Sequence, residues 1–207
     1  MRRAGLAILG VYTLALPGCH PPAPPLPPAP EPTPIPVEVK APPSAEEQEV
    51  MAALAMEGAQ ALGGLSAQSD VHHGATWLKG NVPSEGSTAY LYLGKLGESG
   101  ASTLRFVVRY AGKQPANLSN CTVIVDGTEV GSFSPTPNRV DQPADGVRQL
   151  ADIHFDDVRP IVLAMINGQS VVIRTADGKE LRLGRAELDE MRRVLSAYLH
   201  LQAQPGI

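Results

Sequence analysis

From residue 103 to residue 110 every second position is a large apolar side chain: Leu104, Phe106, Val108 and Tyr110. The positions between them carry Arg105 and Arg109. Successive side chains of a strand point to opposite faces, so this run predicts a half-buried strand with an apolar inner face and two arginines outside. Ala89, Leu91 and Leu93 alternate in the same way with Tyr90 and Tyr92, and a glycine-rich turn at 94–100 separates the two runs. Residues 121–125 read as a strand. Asp126-Gly127 is a type I′ hairpin signal leading into 128–133. Pro135, Pro137 and Pro143 make 134–146 a loop, and 147–155 a further strand. Val171 and Ile173, the Asp177-Gly178 turn, and Leu181 and Leu183 make a second hairpin.

Helical periodicity occurs in three places. Ser44-Ala45-Glu46-Glu47 fits a capping box, with Val50, Met51, Leu54 and Ala61 at helical spacing as far as Gly63-Gly64. Gly58 weakens this helix by ~1 kcal/mol relative to alanine, so a helix over 44–62 only partly docked on the rest is expected. A second helix, capped by Asp156 or Asp157, runs to about Met165, with Pro160 in its first turn. The last, about 185–201, lines Leu188, Met191, Val194, Leu195, Tyr198 and Leu199 along one stripe. Strands and helices are segregated, which predicts an α+β fold. The expected architecture is an antiparallel sheet of about five to seven strands with the C-terminal and internal helices packed on it.

The first 43 residues follow different rules. Arg2 and Arg3 precede an apolar stretch that ends in Leu16-Pro17-Gly18-Cys19, the layout of a secretory signal peptide, and too short for a span of ~20 residues. Residues 21–43 hold twelve of the 20 prolines. Proline fixes φ and has no amide donor, so a polyproline II spacer is expected, about 70 Å long at ~3.1 Å per residue. The organisation read from the chain is signal peptide 1–18, Cys19 with a proline-rich tether over 19–43, and an α+β domain over 44–207 with its core at about 74–201.

The Leu16-Pro17-Gly18-Cys19 ending resembles the lipobox of bacterial lipoproteins, with Pro17 where a small residue is usual. That resemblance implies cleavage before Cys19, acylation of its thiol, and a lipid-anchored protein of the periplasm-facing cell envelope. His20 rather than Asp after the cysteine points to the outer membrane. Trp77, the Tyr90–Leu93 run, the Leu104–Tyr110 run, Val123-Ile124-Val125-Asp126-Gly127, Val171–Arg174 and the closing helix occur in an order that resembles an uncharacterised domain of secreted bacterial proteins and lipoproteins. This second resemblance implies no reaction and no binding residues.

Charge excludes some partners. The formal net charge is -4, and -6 once residues 1–18 and their two arginines are removed. Phosphate neutralisation needs clustered Lys and Arg, so nucleic acid is not an expected partner, nor is a polybasic mode of membrane binding. With Cys19 acylated, Cys121 has no partner for an intramolecular disulfide. In a strand it reads as a buried core thiol rather than a nucleophile.

Several residues carry candidate chemistry. Arg105 and Arg109 share a strand face, and Arg174 lies on another strand. Three such forks could hold a carboxylate or phosphate, against the alternative of an exposed face with surface ion pairs. Asp70, His72 and His73 have ligand chemistry, but adjacent histidines on an extended segment point apart, and His154 and His200 are remote; no metal and no cofactor is expected. Asp152, Asp156 and Asp157 sit at a strand-to-helix junction, where capping is the expected task. Trp77, Tyr90 and Tyr92 could line a ligand groove, but core packing is the more economical expectation. No nucleophile elbow or phosphate loop is present. The expected function is therefore a membrane-anchored, non-enzymatic interaction module, reaching the bilayer through Cys19 and an envelope protein partner through its domain. The alternatives are a small-anion module using the arginines, and an envelope hydrolase.

Overall fold

The longest alternating run forms the longest strand. In the computed structural model, which describes residues 42–70, 75–96, 101–135, 139–143 and 146–204, this strand is β4 (Ala101–Gly112). The other strands are β1 (Ser66–Asp70), β2 (Ala75–Lys79), β3 (Thr88–Leu96), β5 (Cys121–Val125), β6 (Thr128–Phe133), β7 (Arg139–Asp141), β8 (Val147–His154), β9 (Val171–Thr175) and β10 (Glu180–Leu183). The helices are α1 (Ala45–Leu62), α2 (Phe155–Asn167) and α3 (Arg185–Gln202). The fold is α+β, as the segregated pattern predicts, with the strands divided between two antiparallel sheets. One has the order β1-β2-β3-β4-β8-β7, the other β10-β9-β5-β6.

The core lies between these layers. The inner face of the larger sheet contributes Ala89, Leu91, Leu93, Leu104, Phe106, Val108 and Ala151, all buried. Val123, Ile173 and Leu181 come from the smaller sheet, and Leu188, Met191, Val194 and Leu195 from α3. Phe106 and Phe133 join the two sheets edge-to-face, with ring centroids 5.7 Å apart. A buried amide fixes the loop before β5: Gln149 accepts from the Ala116 amide at 2.7 Å and donates to the Ala116 carbonyl at 3.1 Å. Asp126 and Gly127 take φ values of 50° and 83°, the left-handed pair that a type I′ turn requires.

Two local expectations are corrected. The first helix is docked, not loosely held. Its capping box forms, with Ser44 accepting from the Glu47 amide and Glu47 accepting from the Ser44 amide, and Leu54 is buried in the core. Gly58 is what permits this contact. A Cβ there would lie 2.2 Å from His200 Cβ and 2.3 Å from the Ser196 carbonyl oxygen. The glycine that weakens the isolated helix thus lets α1 approach α3 backbone to side chain. At the other junction α2 starts at Phe155, directly after β8, with His154 as N-cap and no side-chain cap. Asp156 and Asp157 fall in the first turn, where the helix dipole favours carboxylates, rather than at the cap. Pro160 consequently sits in the second turn and removes one helical hydrogen bond.

Candidate binding face

The outer face of the six-stranded sheet follows from its register. Opposed residues of an antiparallel pair share a face. Gln68 pairs with Trp77, Trp77 with Gly94, and Gly94 with Thr103, making one lateral row. The next row runs Ser66, Lys79, Tyr92, Arg105 and His154. A third contains Tyr90, Val107 and Asp152, and a fourth contains Thr88, Arg109 and Leu150. Trp77, Tyr90 and Tyr92 are half-buried on this face and not part of the core. The expectation of core packing is therefore overturned. Tyr90 and Tyr92 alternate with the buried Ala89, Leu91 and Leu93 on β3, and Trp77 on β2 faces the same way opposite Gly94.

At the centre of the face, Asp152 is held from two sides. Arg105 donates from Nε to Asp152 Oδ1 at 2.7 Å and from Nη2 to the Asp152 carbonyl at 3.1 Å. Tyr92 donates its hydroxyl to Asp152 Oδ2 at 2.6 Å. These are charge-assisted bonds between side chains about four-fifths covered, 19% exposed for Arg105 and 22% for Asp152. Burial pushes the Tyr92 phenol well above its ordinary value, and the hydrogen bond to Asp152 and that carboxylate's charge push it further; Arg105 opposes the shift. Tyr92 is thus a fixed donor at neutral pH. Burial also raises Tyr90, with Arg109 opposing it and Asp152 reinforcing it.

Trp77 adjoins this network, with its ring centroid 5.3 Å from that of Tyr92 and the planes at 76°. It stands over Gly94. A Cβ on that glycine would lie 2.5 Å from Trp77 Cζ3, so the indole occupies space that only a glycine leaves open. A glycine in a strand interior marks a close approach of this kind.

The arginines do not form one cluster. Arg105 is committed to Asp152. Arg109, 8% exposed, donates to the carbonyls of Gly86 at 3.0 Å, Glu85 at 3.1 Å, and Pro83, and so pins the loop before β3. Arg174 belongs to the other sheet and pairs with Glu180 at 3.1 Å, which Arg182 contacts from the far side at 2.6 Å. Glu180 is lowered below the usual carboxylate range, first by its hydrogen bond to Arg174. The forks that would grip an anion are thus occupied by groups of the protein itself, and on two sheets.

Other candidates are dispersed. His154 is exposed at the start of α2, and His200 lies on α3 within 2.9 Å of the Gln204 side chain. Asp156 is 3.9 Å from Arg159. Asp70 closes β1, and neither its side chain nor His72 and His73 fall within what is described; Cys19 also lies outside the described residues. Among the described residues no group of three or more His, Cys, Asp or Glu is placed to hold a metal ion, and no helix is long and apolar enough to cross a membrane. Cys121 is buried at the start of β5, and its thiol is pushed up to about 11, first by burial. Comparison with family models, with curated proteins and with solved structures found no match for this chain.

The sequence pattern grouped Trp77 with Tyr92 but left Arg105 among the arginines and Asp152 among the junction carboxylates. The pairing register places them together, and residue spacing does not contain it. One available signal was Gly94, a glycine inside an otherwise regular strand.

Proposed function

We propose that this chain is a non-enzymatic binding module of the bacterial cell envelope. It is anchored by a lipid on Cys19, held off the membrane by the proline-rich residues 20–43, and recognises its partner through the outer face of the six-stranded sheet. The observation that carries this reading is the Tyr92–Asp152–Arg105 network beside Trp77. It is a rigid, polar and aromatic surface on the side of the sheet away from the helices and core. The one tryptophan of the chain and an ordered carboxylate stand on this face rather than in the core.

Two measurements test it. Cys19→Ala should abolish recovery of the protein with membranes, and unchanged membrane recovery without precursor accumulation would remove the anchor. A photo-crosslinking residue in place of Thr103, on the proposed face, should capture a partner in intact cells. The same residue in place of Arg182, on the smaller sheet, should not. Equal capture at both positions would remove the face.

A further inference from the structure

We propose that the outer face of the six-stranded sheet binds the glycan strand of the cell wall, with a sugar ring stacked on Trp77 and ring hydroxyls taken by Asp152 and Arg105. This rests on the reading of that face as the recognition surface.

The chemistry of the face favours an uncharged, hydroxylated ring. A pyranose is amphipathic: its C–H bonds present an apolar side, and its hydroxyls donate and accept around the rim. Trp77 supplies a partly exposed aromatic ring for the first property, beside Tyr92. Asp152 supplies the second. An ionised carboxylate has about four lone-pair sites, and Tyr92 and Arg105 use one on each oxygen, so acceptor capacity remains on a group already held in place. Arg105 retains Nη1 as a donor, since its contacts to Asp152 employ Nε and Nη2. Thr103, Gln68 and Lys79 border the aromatics in the same two rows and add adaptable polar groups. Arg105 and Asp152 cancel at the centre, while Arg109 is spent on loop carbonyls and Lys79 borders the aromatics.

Size and composition narrow the occupant further. Trp77 is on β2 and Asp152 on β8, three strand spacings apart, about 14 Å across the sheet. That distance suits an oligosaccharide better than a single sugar. The aromatics and Arg105 would suit a protein partner as well, but the central carboxylate of Asp152 is of a type that protein interfaces deplete. The large apolar side chains that stand exposed among the described residues, Met56, Val130 and Val140, are not in the rows of this face. The proline-rich spacer expected from the sequence of 21–43 would give an envelope-anchored module reach toward the wall.

Trp77 is the single tryptophan of the chain, so its emission reports this face alone. The full chain, purified in detergent, is titrated with cell-wall glycan strands freed of their stem peptides, and in parallel with maltohexaose. A saturable change in emission with the wall glycan, weakened at least tenfold in a folded Asp152→Asn variant and absent with maltohexaose, is expected. An equal response to maltohexaose would overturn the assignment to the wall. No response to either glycan, with Thr103 cross-links still capturing a protein in cells, would overturn the glycan inference and leave the binding face standing. Silence in both experiments would remove the inference and the reading beneath it.

Discussion

Arg105 and Asp152 sit on neighbouring strands of the six-stranded sheet with Nε and Oδ1 2.7 Å apart, and the Tyr92 hydroxyl closes on the other carboxylate oxygen at 2.6 Å. The three side chains form one unit, and its pH dependence follows from the tyrosine. Burial raises the Tyr92 phenol above its unfolded value of about 10, and Asp152 raises it further. A group whose folded pKa is raised contributes stability that is complete below the unfolded value and is lost as pH rises toward the folded one. The urea midpoint should therefore fall above pH ~10, and Tyr92→Phe should flatten that fall. An identical alkaline decline in Tyr92→Phe would separate Tyr92 from the network.

Gly58→Ala sets two effects against each other. Alanine is the better helix former by ~1 kcal/mol. Its methyl group would, however, lie 2.2 Å from His200 Cβ, and such overpacking typically costs 1–3 kcal/mol, roughly. Net destabilisation of about 1 kcal/mol is expected in urea unfolding. A stabilised variant would show that α1 does not cross α3 at this distance.

At Gly94 the same substitution acts on the proposed face. A methyl group there would meet the Trp77 ring at 2.5 Å. The indole should be displaced, with a red-shifted emission maximum and little loss of fold, since a ring at the surface can move where a core side chain cannot. Unchanged Trp77 emission would mean that the ring does not rest on Gly94.

Much of the fold was legible in the pattern. The alternation at 103–110, the Asp126-Gly127 turn and the stripe on α3 each state their element, because each buries one face. Strands β1, β2 and β7 did not announce themselves. Ser66–Asp70 is polar and small, Ala75–Lys79 sets Trp77 beside Leu78, and Arg139–Asp141 is three residues long, so none carries a period to read. The site was less legible for a related reason. Arg105 and Asp152 are 47 residues apart in sequence, and which strand pairs with which, in what register, is decided by the whole core. The docking of α1 is not legible in the propensity of Gly58, because that propensity omits the partner helix that requires the glycine.

Cys121 should be inert. Its thiol is buried and pushed up to about 11, so the thiolate population at neutral pH is very small. In the Cys19→Ala chain a thiol reagent should label nothing in the native state and one thiol per chain in urea. Rapid native labelling would return Cys121 to consideration as a nucleophile.

The central claim is that the outer face of the six-stranded sheet is where this molecule meets its partner. The most direct measurement is the yield of photo-cross-links from position 103 in intact cells, compared between the otherwise native chain and Asp152→Asn, with position 182 as the reference. The account predicts a clear product at 103, lost or strongly reduced in Asp152→Asn, and background at 182. A product at 103 that is indifferent to Asp152, or a stronger one at 182, would contradict it.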